Sequence, residues 1–145
     1  MTTAHHVKAA RHAIPGTGIK KGDSYYWWKF YRCGKQYSTT PPTRSQLTRS
    51  PFYSALYEIE DTMQAADEDY ESARDTAVEE LENLKDETQE KYDNMPPSLQ
   101  EGDTGQLLQE RVEGLDNIIS ELQALSLDGD SDEVREELHA VAFEI

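Results

Sequence analysis

From Phe52 onward the apolar residues recur in steps of four and three. Phe52, Leu56, Ile59, Met63, Ala66, Tyr70, Ala73, Ala77, Leu81, Leu84 and Thr88 keep that rhythm, with one extra four-residue step between Ala77 and Leu81. The spacing holds these positions on one helix face, and the extra step is a stutter in a heptad seam. Residues 52–95 contain neither glycine nor proline. The pattern therefore predicts one continuous helix, roughly 65 Å long at 1.5 Å per residue. Ser50 as N-cap and Pro51 at the first helical position supply its start. The run "NMPPSLQEGDTG" ends it. A second helix, capped by Asp103 or Thr104, carries Leu108, Val112, Leu115, Ile119 and Leu122, with Ile118 and Leu125 widening its stripe. After the turn "SLDGDSDE", a third helix capped by Asp130 with Glu133 carries Val134, Leu138, Val141 and Ile145. Two assemblies satisfy this pattern: the shorter helices fold back on the long one, or two copies of the chain pair as a homo-oligomer.

Upstream the period changes from 3.6 to 2. Six aromatic residues fall within the seven positions Tyr25 to Tyr31, a strand composition. Cys33–Gly34 reads as a two-residue turn with Gly34 at positive φ, Lys35 to Thr40 as the return strand, and Pro41–Pro42 as its stop. That turn sets Arg32 opposite Lys35, Tyr31 opposite Gln36, Phe30 opposite Tyr37, Lys29 opposite Ser38 and Trp28 opposite Thr39. Alternation then divides the aromatics. Tyr26, Trp28, Phe30 and Tyr37 form a small core, set against Phe52, Tyr53 and Leu56. Tyr25, Trp27, Lys29 and Tyr31 form the outer face. Two strands alone are marginal in water, and "TGIKK" is the nearest candidate for a third. "HHVKAARHA" reads as a short, helix-compatible basic arm ended by "IPGTG". The expected fold class is α+β. A small basic hairpin or three-stranded head, residues 1–50, precedes an acidic, mainly helical, coiled-coil-like body, residues 51–145.

Charge sharpens this division. The chain of 145 residues has a formal net charge of −15. Residues 1–50 hold nine Lys/Arg against one acid, Asp23, for +8; the rest hold five against 28, for −23. Cations interleaved with exposed aromatics suit nucleic acid, because rings stack on bases while lysines and arginines neutralise phosphates. The candidate partner-binding residues are Tyr25, Trp27, Lys29, Tyr31, Lys20, Lys21, Arg32, Lys35 and Arg44. DNA and RNA, single- or double-stranded, remain open as partners, and a purely structural role of the aromatics or a protein contact are the competing readings.

"YYWWKFYRCGKQYS" resembles the hairpin of the arm-type DNA-binding domains of tyrosine recombinases. There an aromatic strand, a Gly-Lys turn and a Lys-x-Tyr return strand recur, and the small sheet lies in a DNA groove. The likeness covers about 15 of 145 residues, and Pro41–Pro42 departs from the pattern. "GIKKGDSYYWWKF" with "TPPTRSQLTRSPFYSALY" is similar in style to small accessory proteins of tailed bacteriophages.

Enzymatic motifs are missing, and a non-enzymatic protein without metal or cofactor is expected. His5, His6 and His12 have no fourth ligand at metal-binding spacing. Asp128, Asp130 and Asp132 alternate as in a calcium loop, but the glycine is misplaced and His139 stands where a bidentate Glu is required. Cys33, the single cysteine, excludes an internal disulfide and has no nearby histidine to act as base. No apolar run suits a membrane span and no secretory signal opens the chain, so a cytoplasmic protein is expected. The alternatives to a nucleic-acid-binding module are a structural or protein-interaction component, and an acidic nucleic-acid mimic acting on a host factor.

Overall fold

The computed structural model describes residues 1–145 and has an α+β fold, a three-stranded antiparallel sheet followed by five helices. The chain divides into two compact units, Met1–Ser54 and Ala55–Ile145.

In the first unit the sheet runs β1 (His5–Val7), β2 (Tyr25–Lys29), β3 (Lys35–Ser38), with β2 central. The third strand is thus His5–Val7, from the segment expected to be a helix-compatible arm, and not "TGIKK". "HHV" is a weak strand sequence by itself; the aromatic β2 supplies both its ladder and its side-chain partners. His5 pairs with Trp27, His6 with Tyr26 and Val7 with Tyr25. Beyond Val7 the hairpin continues irregularly. Ala10 donates to the Asp23 carbonyl and accepts from the Gly22 amide, both at 2.8 Å, so one residue faces two. Gly22 takes φ 94°, the left-handed conformation a bulge of this kind needs. "TGIKK" lies on this returning limb, where Ile14 donates to the Ile19 carbonyl.

The far end of the unit is stitched to the sheet. A 3-10 turn, Ser45–Leu47, accepts the Thr2 amide on Leu47, and the Thr2 hydroxyl donates to the Lys29 carbonyl. Helix α1 (Pro51–Gln64) starts here, with the Ser50 hydroxyl accepting from the Tyr53 amide. Buried residues of this unit include Ala10, Ile19, Trp28 and Phe52.

In the second unit, residues 65–69 divide the expected long helix into α1 and α2 (Tyr70–Asp93). The four-three rhythm runs straight across this break and conceals it. The cause is "AADED". Three consecutive acids inside one helix would add to the negative end of the preceding turns. After the break they precede or cap α2, at its positive end. Asp69 is the N-cap, accepting from the Ser72 amide at 3.0 Å. The second break also contains a helical turn, α3 (Pro97–Gln100), with Pro97 at its first position. α4 (Asp103–Ala124) follows with Gly102 as its N-cap, not Asp103 or Thr104, and α5 (Ser131–Ala140) is capped by the Asp130 carboxylate.

α2 and α4 form an antiparallel hairpin, tied by Lys85 to Asp116 at 2.8 Å and by Gln109 to the Tyr92 hydroxyl at 2.9 Å. The apolar seam closes within the chain: Leu56, Met63, Leu81, Leu115, Leu122 and Leu138 are all essentially inaccessible. Phe143, which no pattern picked out, is buried completely, and Ile145 packs over Gly114 of α4. The Asp116 hydrogen bond is the main cause of the raised Lys85 pKa. Its small contribution to stability is therefore present below the ordinary lysine range and lost as pH climbs through the raised value. No helix is long and apolar enough to cross a membrane.

α3 can turn tightly onto α4 because Gly105 has no side chain, and a Cβ there would run into the Gln100 backbone. Gly105→Ala should destabilise the helical unit, by about 1–3 kcal/mol through overpacking against backbone, despite alanine's better helix propensity. Thermal unfolding of the full chain followed at 222 nm checks this. An unchanged or raised midpoint would mean that α3 simply swings away.

Candidate nucleic-acid interface

Strand alternation places His5, Val7, Tyr25, Trp27, Lys29, Lys35 and Tyr37 on one face of the sheet, and His6, Tyr26, Trp28, Gln36 and Ser38 on the other. Trp28 is the buried one of the tryptophan pair, 5% exposed, as the alternation predicts. Its indole nitrogen is buried without a hydrogen-bond partner. Trp27 lies on the open face and is half-buried.

The β2–β3 register differs from the expected one by three residues. Tyr26 pairs with Ser38, Trp27 with Tyr37, Trp28 with Gln36 and Lys29 with Lys35. Phe30 to Gly34 form a five-residue loop, so Tyr31 and Arg32 leave the strand, and Cys33–Gly34 is not a two-residue turn. The tight turn is Phe30–Cys33, closed by the Cys33 amide on the Phe30 carbonyl at 3.0 Å. Its third residue, Arg32, takes φ 59°, while Gly34 does not use positive φ. This is the pattern of a type II turn, which ordinarily places glycine there. An odd-numbered shift also moves every β3 side chain to the other face. Tyr37 therefore leaves the expected core and joins Trp27, with its ring 6.1 Å from that of Tyr25. Phe30 is a half-buried loop residue, not a strand core position.

The register has an electrostatic result. Lys29 and Lys35 stand directly opposite each other, with Arg32 in the loop between them. Opposed like charges destabilise a strand pair. The unit's only carboxylate, Asp23, accepts the Lys20 amide at 2.8 Å, on the limb beyond the other end of β2. The three cations thus have no acid within their own unit to pair with. Lys35 Nζ lies 4.2 Å from the Trp27 ring centroid, and His5 stacks on the same ring at 4.4 Å. Arg32 lies over the Tyr31 ring at 5.2 Å.

Of the nine residues singled out in the sequence, Trp27, Lys29 and Lys35 meet at this end of the sheet and Tyr31 and Arg32 in its loop, while Tyr25 shares the Trp27 face from the other end of β2. Lys20 and Lys21 lie on the limb leading into β2, at its opposite end, and Arg44 precedes the 3-10 turn. His5 and Tyr37 belong to the face and were not picked out. His5 escapes because its strand is three residues long and polar, and Tyr37 because the expected turn lies two residues too far along the chain. One depression of the helical unit, about 670 Å³, is open to solvent and mixed in character, lined by Gln64, Asp67, Arg135, Glu136 and His139 together with Ala65, Ala66 and Ala140.

Trp28→Ala should cost the first unit about 3–5 kcal/mol, as large aromatic truncations in cores do. Arg32→Gly should leave its stability unchanged or improve it by up to about 1 kcal/mol, since strain at a left-handed residue is relieved against greater freedom in the unfolded chain. Near-ultraviolet circular dichroism during thermal unfolding reports on both. Loss of stability with Arg32→Gly would show that the guanidinium is a structural strut.

A scan of family models, a search of curated proteins and a search of solved structures each found no match to this chain.

Proposed function

We propose that the protein is a non-enzymatic nucleic-acid-binding module of the cytoplasm, gripping a phosphate backbone with the sheet end that carries Trp27, Lys29, Arg32 and Lys35. The observation that carries this reading is the Lys29–Lys35 pair. Two lysines placed face to face, with a third cation in the loop and no carboxylate in the unit to neutralise them, are held at a cost in the free protein. A polyanion laid across them removes that cost and releases its own condensed counterions, the main source of backbone affinity. The aromatic rows of Tyr25, Trp27 and Tyr37 add rigid, half-exposed surface between the charges. The resemblance to arm-type recombinase hairpins is compatible with this use of a small sheet, and the likeness to tailed-phage accessory proteins gives it a natural setting.

The helical unit closes its seam within one chain, so the apolar stripe makes no demand for a second copy. Its role in this proposal is to keep a basic head soluble and to limit its binding through its 28 acids.

Fluorescence anisotropy with labelled oligonucleotides, from about 0.05 to 0.2 M salt, tests the proposal. Affinity should fall steeply with salt, and Lys29→Gln with Lys35→Gln should each lower the log–log slope by about one. The double variant should be at least as stable as the parent, because it removes a like-charge pair. Absence of binding by the parent chain, single- and double-stranded probes alike, would sink the proposal.

A further inference from the structure

Building on that reading, we infer that Tyr31 is the residue that stacks on a base, and that the surface consequently selects unpaired strands over duplex. The aromatics of the strands themselves are already engaged. Trp28 is buried. Trp27 has His5 stacked on it from β1 and Lys35 over it from β3, neighbours on either side of the central strand. A base could reach that ring only by displacing one of them. Tyr25 and Tyr37 lean on each other, and Tyr26 is stacked by His6.

Tyr31 is different. It is 79% exposed, more than any other large apolar or aromatic side chain. It sits at the tip of the tight turn, where the Arg49 guanidinium donates to its carbonyl at 3.4 Å. Arg32 lies over its ring, and most of the rest of the side chain is in solvent. The turn holds Arg32 in a left-handed conformation that glycine would adopt freely. What glycine could not supply is a cation beside the ring. The tip thus offers an exposed ring with Arg32 against it and, where the strands meet the loop, Lys29 and Lys35, a base platform with phosphate-binding cations on the same hairpin. Bases inside a duplex have both faces covered by their neighbours, so only an unpaired base can take such a platform.

The test uses the full chain and four probes of mixed sequence: a DNA 20-mer and an RNA 20-mer, each as single strand and as duplex. The parent should bind at least one single strand about tenfold or more tightly than its duplex, and the DNA and RNA arms show which backbone is preferred. Tyr31→Ala should weaken that single-strand binding about 5- to 150-fold, the usual worth of one stacked base. Tyr31→Phe should retain it, and duplex binding should not change. Because the side chain is exposed, neither variant should shift the melting temperature. Equal parent affinity for strand and duplex overturns the inference, as does single-strand binding that Tyr31→Ala leaves intact. Either result would leave the phosphate-gripping role standing, whereas a parent that binds none of the four probes removes that role itself.

Discussion

The pairing of β2 with β3 is the constraint from which the features of the first unit descend. Pairing Trp27 with Tyr37 requires a five-residue loop, and that loop releases Tyr31 and Arg32 from the ladder. It also forces Lys29 against Lys35 and moves Tyr37 onto the Trp27 side. A register tighter by three residues would have put Phe30 over Tyr37 and drawn Tyr31 down beside Gln36. The aromatic content would be the same, but the exposed tip and the opposed lysines would vanish. Function, on the reading given above, is thus a property of register rather than of composition.

The helical unit solves a different problem, a large excess of acid around a narrow apolar seam. Breaking the helix at residues 65–69 turns one long rod into pieces that cover one another. It also places Asp67, Glu68 and Asp69 ahead of a new N-terminus, where negative charge is favourable. Gly105 and Gly114 do the corresponding work at close approaches, one beneath α3 and one beneath Ile145. The seam is buried with four- and three-residue spacing intact, so the break costs the core little.

These cases show what was legible and what was not. Periodicity found nearly every seam residue, because a helix face is a local property that spacing alone determines. The break at "AADED" was invisible to the same argument, since Met63, Ala66 and Tyr70 stay in step whether or not the backbone between them is helical. Only the run of acids followed by Ser72 hinted at a cap. In the head, alternation separated Trp27 from Trp28 correctly, again a local property. Register and the identity of the third strand depend on residues distant in sequence. A Cys-Gly pair suggested a turn that the chain does not make there, with the left-handed position falling on Arg32 instead. His5 and His6 had no strand signal of their own, because their stability in the sheet comes from the rings they lie against.

On the proposed reading, the charge division bears on how the head would meet a polyanion. A formal −15 over the whole chain repels a polyanion at long range, although +8 of basic charge resides in the first 50 residues. Which is felt depends on screening. At 0.01 M salt the Debye length is about 30 Å, so an approaching strand responds to both units together. At physiological ionic strength it is about 8 Å, and exposed charges farther than that from a bound strand are largely screened. Salt therefore acts twice and in opposite senses: it weakens the phosphate contacts and it hides the acidic unit. For a basic head alone, affinity would rise steadily as salt falls. Joined to this body, the head should gain less from low salt than its own charge implies, which favours release from any strand it does not hold by stacking as well as by charge.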